Sequence, residues 1–228
     1  MTEPAAAETA ATSGTGTSPG RASGYRLVLP PGWHHIPLRQ GTDQAIKAAV
    51  DAAARSAPAK LPRDQLTAYR LEQTRRLGKL AAEARQQSGI DLYLPVGLFR
   101  GIPVPASFLV SEVSLDLPEM SAVPSADFVT EQVMAGLTAS EGNTRKVTVA
   151  GAAAARTERT GEPEPSREIE YASRRVDYVI AVPGAPGRYL LVAFSTLGGG
   201  NPDDELARLL MELFDAMMAT WRWNWTCA

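Results

Sequence analysis

The stretch Val176 to Phe194, VDYVIAVPGAPGRYLLVAF, decides the fold. Val176, Tyr178, Ile180 and Val182 place apolar side chains at every second position, the period of a strand with one buried face. Pro183-Gly184-Ala185-Pro186-Gly187 is a turn, because proline presets φ and glycine accepts positive φ. Tyr189 to Phe194 then returns as a second apolar run. Two such runs around a short turn predict an antiparallel hairpin. The same signal reaches upstream through Ile169 and Tyr171 to Glu168, and downstream to Thr196.

Beyond the hairpin the period changes. Leu206, Leu209, Leu210, Leu213, Phe214, Met217, Met218 and Trp221 recur at three- and four-residue spacing, which predicts a long helix whose broad apolar face a sheet must cover. The preceding Gly198-Gly199-Gly200-Asn201-Pro202-Asp203-Asp204-Glu205 has the outline of a phosphate loop. Its chemistry opposes that use: the three carboxylates repel phosphate and no Lys-Ser/Thr pair follows. Asn201 is instead expected as the N-cap and Pro202 as the first helical residue.

Upstream of the hairpin, Arg145 to Arg159 reads as a strand pair or a bent strand. Ser125 is a plausible cap for a short helix carrying Phe128, Val129, Val133, Met134 and Leu137. Ala106 to Leu117 and Ile90 to Leu94 read as strands. Between Thr42 and Ser88 the pattern is helical twice. The first helix runs through Ile46, Ala49, Val50 and Ala53 until Pro58 and Pro62. The second begins near Asp64 and carries Leu66, Tyr69, Leu77, Leu80 and Ala84, interrupted by Gln73. Tyr25 to Leu29 is a short strand ended by Pro30-Pro31-Gly32, with Trp33 folding back onto the core. Residues 1–23 hold no large apolar side chain after Met1 and predict a disordered tail ahead of one domain over 24–228. The order and the polar-outside alternation give an α+β fold, an antiparallel sheet flanked by helices, with a helical insertion at about 42–88.

The chain has 228 residues, 23 basic against 25 acidic, a net charge of -2, one cysteine and two histidines. A near-neutral balance is not that of a nucleic-acid binder. One cysteine, Cys227, permits neither an internal disulfide nor a multi-cysteine metal site. His34 and His35 are read as a surface loop, with no nucleophile elbow, HExxH or CxxC to join them. No catalytic group, metal or cofactor is therefore expected. The N-terminus carries no signal peptide and no apolar run is long enough to span a membrane, so a cytoplasmic location is expected.

Two features point to a protein partner. Asp43 to Ser88 carries nine basic and five acidic residues, whereas the chain from Glu112 onward carries ten and seventeen. Arg70, Arg75, Arg76 and Lys79 would then form a docking face for an acidic partner. The second is Trp221-Arg222-Trp223-Asn224-Trp225. In a helix Trp221 and Trp225 share a face, and in a strand all three tryptophans do. Trp223 and Trp225 are the candidate contacts. The alternative is a carrier of an apolar small molecule or lipid between sheet and helix, with Met134, Met211, Met217 and Met218 as an adaptable lining.

The opening Tyr25-Arg26-Leu27-Val28-Leu29-Pro30-Pro31-Gly32-Trp33 resembles that of Mog1/PsbP-like domains, a strand leading into an "LP-x-GW" turn. The ending is similar as well: a hairpin from Val176 to Ser195, then Asp203 and a helix reaching Trp223. The likeness spans about residues 24 to 225 and is closest in kind to the actinobacterial branch of LpqN-like lipoproteins. It implies an α/β/α sandwich around an antiparallel sheet, a non-enzymatic interaction or accessory role, and no shared catalytic residues. The chain departs from that pattern in having no lipobox and in its inserted helical pair.

Overall fold

A computed structural model describes residues 20–55, 63–99, 102–114, 143–163 and 171–226. The elements in order are β1 (Ala22–Arg26), β2 (Trp33–Pro37), α1 (Thr42–Arg55), α2 (Arg63–Gln86), β3 (Gly89–Pro95), β4 (Leu98–Phe99), β5 (Ile102–Pro103) and β6 (Ala106–Ser114). They continue with β7 (Asn143–Val149), β8 (Ala152–Gly161), β9 (Ser173–Ala181), β10 (Arg188–Thr196), α3 (Glu205–Ala219) and β11 (Arg222–Trp225). Among the described residues, seven strands form one sheet in the order β2-β3-β6-β10-β9-β8-β7. Every neighbouring pair is antiparallel. The short strands β1 and β11 pair with each other as a separate ribbon.

The expected hairpin is β9 and β10, with Tyr189 opposite Ala181 and Phe194 opposite Val176. The alternation puts Val176, Ile180, Val192 and Phe194 on one buried face. There they meet Leu210, Phe214, Met217 and Met218 of α3. Phe214 is the centre of this layer: it stacks on Phe194 at 4.6 Å, tilts against Phe108 at 5.3 Å and meets Tyr178 edge-on. Each such buried ring contributes about 1.5–3 kcal/mol of transfer free energy. Met217 and Met218 are packed into this core. On the opposite face Ile36 and Leu92 pack with Ile46 and Val50 of α1 and Leu77, Ala81 and Ala84 of α2. The sheet is thus flanked by helices on both faces, as an α+β fold requires.

Three local expectations change. Residues Trp33 to Pro37 form an edge strand rather than a loop, so His34 and His35 sit in the sheet opposite Leu94 and Tyr93. The first strand is Ala22–Arg26, which takes in Ala22 and Ser23 from the segment read as tail and leaves Leu27 to Leu29 outside it. The N-cap of α3 is Asp204, not Asn201. Asp204 accepts from Ala207 N at 2.6 Å and from Gly199 N at 2.5 Å, so its carboxylate occupies the glycine-rich turn itself. Asn201 instead accepts from Asp203 N in an Asx-type turn. Of the two readings of Arg145 to Arg159, the strand pair holds: it is the hairpin β7–β8. Ala150 and Gly151 both take positive φ there, as a two-residue hairpin turn demands. The helix expected around Phe128 to Leu137 lies outside the described residues.

Candidate functional site: a cleft between the terminal ribbon and the sheet

The end of α3 sets up the site. Thr220 caps the helix and its hydroxyl receives Val28 N at 2.9 Å, drawing the two ends of the described chain together. The next residues are then extended and pair with β1, with Tyr25 opposite Trp223. Trp221 is completely buried and stacks on the Tyr25 ring at 4.0 Å. The indole N–H groups of Trp221 and Trp223 are both buried without an acceptor among the described residues, an unusual feature for donors in a core.

Between this ribbon and the ends of strands β3, β6 and β10 of the main sheet lies a cleft of about 780 Å3. That volume is within the range of ligand sites. Tyr25, Trp223 and Asn224 come from the ribbon, Asp91 from β3, Glu112 from β6 and Arg188 from β10. Arg21 precedes the ribbon, and Arg39 follows β2.

Two hydrogen-bonded groups organise the walls. In the first, the Tyr25 hydroxyl donates to Asp91 Oδ2 at 2.6 Å, and His35 Nε2 meets Asp91 Oδ1 at 2.5 Å. The Tyr25 and Tyr93 hydroxyls are 3.2 Å apart, and the His35 ring stacks on Tyr93. Burial pushes the Tyr25 hydroxyl well above the ordinary phenol range, and Tyr93 and the Asp91 carboxylate push it further the same way. Tyr25 therefore stays protonated and acts as a fixed donor. In the second group Arg39 Nη2 donates to Glu112 Oε2 at 2.6 Å, and Arg188 Nη2 donates to Glu112 Oε1. Arg21 is exposed at the lip, with no ion pair to a described residue.

The positions expected to dock a partner behave differently. Arg75 clasps Glu72 with two bonds of 3.0 Å, and Arg76 Nε donates to the same carboxylate at 2.6 Å. Those bonds hold the Glu72 carboxyl at about 2, below the usual carboxylate range. Arg70 lies 3.7 Å from Asp51 and Lys79 lies 3.8 Å from Glu83. Each candidate cation of α2 thus has a neighbouring carboxylate from α1 or α2, with Arg75 and Arg76 sharing one, and the positive surplus counted along the sequence remains. Trp223 is 7% exposed and cannot be a surface contact; it is a wall of the cleft. Trp225 is 48% exposed and remains available.

A third polar group is structural. Arg156, only 5% exposed, forks onto Asp215 of α3 and reaches Glu158, while Tyr178 donates to Asp215 at 2.8 Å. Burial alone favours a neutral guanidine, but the bonds to Asp215 and Glu158 outweigh it and keep the Arg156 pKa above its ordinary value. Among the described residues no group of three or more histidine, cysteine or acidic side chains is placed to hold a metal. None of the described helices is long and apolar enough to cross a membrane.

The sequence reading missed the cleft. Arg39, Glu112 and Arg188 are separated by 73 and 76 residues, and each taken alone is an ordinary surface charge. No family model matches the chain, and neither does any curated protein sequence. Among solved structures, a Pseudomonas aeruginosa protein of unknown function, PA94, is similar over 50% of this chain and 69% of its own, with 16% identity and a TM-score of 0.32.

Proposed function

We propose that the protein is a non-enzymatic interaction module, cytoplasmic and of the Mog1/PsbP-like kind, that receives an acidic segment of a protein partner in the cleft beside the terminal ribbon. The observation that carries this reading is the cleft's charge. Three guanidinium groups, from Arg21, Arg39 and Arg188, face the carboxylates of Asp91 and Glu112, and Asp91 is already engaged by Tyr25 and His35. Such a concave, cation-rich surface raises the local concentration of an acidic partner and orients it on approach. The exposed indole of Trp225, between the cleft residues Asn224 and Thr226, adds an aromatic anchor of the type that dominates interface energetics. The α2 cations Arg70, Arg75, Arg76 and Lys79 do not line this cleft and form a separate candidate face.

A photo-crosslinking residue at Gln40, which lines the cleft, tests this in the native host. It should capture one defined protein, and the capture should be lost on Arg21→Glu. A crosslinker at Lys79 on α2 is the control. Capture at Lys79 with none at Gln40 would return the docking site to the helical face.

A further inference from the structure

We infer that the cleft is a seat for a single carboxylate, read by Arg21, Arg39 and Arg188, and that Glu112 is the internal carboxylate that holds two of these guanidinium groups in place. The inference rests on the cleft being the recognition site and names the chemistry recognised there.

Glu112 shows the arrangement the cleft can make. Its side chain is four-fifths buried, and its two oxygens take one N–H each from Arg39 and Arg188. A guanidinium carries five N–H donors, so most of those on both arginines remain for a second acceptor. Arg21 has all of its side-chain donors free of described partners. The two clamped guanidinium groups are ordered before any ligand arrives, which lowers the entropy lost when a ligand is bound.

The charge balance selects the anion. Three guanidinium groups stand against two carboxylates, an excess of one positive charge, which a monoanionic carboxylate neutralises. A dianionic phosphate would instead be brought close to Glu112 and Asp91, where like charges repel. The planar carboxylate also matches the guanidinium fork. The wall also carries an apolar part, Ile90, Val182, Leu190 and Trp223, beside the polar Ser23, Gln40, Asn224 and Thr226. The ligand is therefore a carboxylate next to apolar groups. Such a group can come from an acidic segment of a protein or from a free amphiphile, and the test separates the two.

Titration calorimetry of the full chain at constant ionic strength would use three probes: a glutamate-leucine repeat peptide, dodecanoate and inorganic phosphate. At least one carboxylate probe should bind and phosphate should bind at least about tenfold more weakly, the scale of one lost charge-assisted contact. Arg188→Met should reduce carboxylate binding by about tenfold. Because that change also releases Glu112, Arg21→Gln is the second variant; it should weaken binding with no change in unfolding midpoint. Phosphate binding as tightly as the carboxylates, or Arg21→Gln and Arg188→Met without effect, would overturn the inference. Dodecanoate binding without the peptide keeps the carboxylate seat and removes the protein-docking reading. Crosslinked capture at Gln40 with neither carboxylate bound does the reverse.

Discussion

Asp215 is the residue on which the fit of α3 to the sheet turns. It accepts two bonds from Arg156, at 3.1 and 2.9 Å, and one from Tyr178 at 2.8 Å. Both partners lie on the sheet face that α3 covers, so the carboxylate joins helix to sheet across a gap otherwise filled by apolar contacts. Arg156 is nearly closed off from water, and without Asp215 its charge would be left to Glu158 alone. Breaking a buried ion pair from one side costs more than the pair's net worth, because an uncompensated charge remains. Asp215 itself is about a third exposed, which moderates the figure. Asp215→Ala should therefore lower unfolding free energy by about 2–4 kcal/mol in urea titrations, at the lower end of the range for buried pairs. Asp215→Asn should cost less, since the amide still accepts from one of the two donors. Equal stability of all three proteins would show that the Arg156 charge is solvated in some other way.

At the scale of the elements, the cap of α3 gives a prediction with a definite pH sign. Bonds from Ala207 N and then Gly199 N hold the Asp204 carboxyl below its ordinary value. A group whose folded-state pKa is lowered stabilises the fold above its unfolded pKa, and that contribution disappears as pH falls through the folded value. The wild type should melt higher than Asp204→Ala at neutral pH, and the gap should close in acid below the ordinary aspartate range. Thermal melts across that range check it; a constant gap would mean that the charged form is not what caps the helix. The cap also shows where a sequence is readable. Helices α1 and α3 and the β9–β10 hairpin each bury one face, so their periods of 3.6 and 2 stand out, whereas α2 buries Leu77, Ala81 and Ala84 and leaves Tyr69 and Leu80 of its expected stripe exposed. Strand β2 shows no such period, because Trp33 enters the core beneath α3 while Ile36 enters the one beneath α1 and α2, and burial on both faces erases alternation. Strand β11 was ambiguous for a different reason: Trp221-Arg222-Trp223-Asn224-Trp225 fits two periods, and only the stop at Thr220 selects the extended form. Asn201 is not the N-cap because Asp204, three residues on, has a carboxylate that accepts from both Ala207 N and Gly199 N.

The whole molecule is closed by contacts between distant parts, and the cleft is a consequence of that closure. The ribbon pairs residues about 200 positions apart, and its Tyr25 reaches across to Asp91 in β3. It is also held by the β9–β10 turn, where Ala22 N donates to Pro183 O at 3.0 Å. Gly184, next in that turn, has φ +69, and a Cβ there would lie 2.8 Å from Arg21 Cα and 3.1 Å from Gly20 O. Both neighbours are backbone, so an added methyl group must either distort the turn or push the ribbon outward. Gly184→Ala is thus expected to cost about 1–3 kcal/mol from the positive φ and the displacement together. The effect should be uneven. The hairpin is tied into the sheet along its length through β6 and β8, whereas the ribbon depends on Tyr25, Trp221, Trp223 and this turn. Amide hydrogen exchange should accelerate in Ala22–Arg26 and Arg222–Trp225 while β9 and β10 keep their protection. Carboxylate binding should weaken with it, because the ribbon carries Tyr25, Trp223 and Asn224 to the cleft and fixes Arg21 at its lip. Uniform acceleration across both sheets would mean that ribbon and sheet open as one unit, and that the cleft cannot be loosened without unfolding the core.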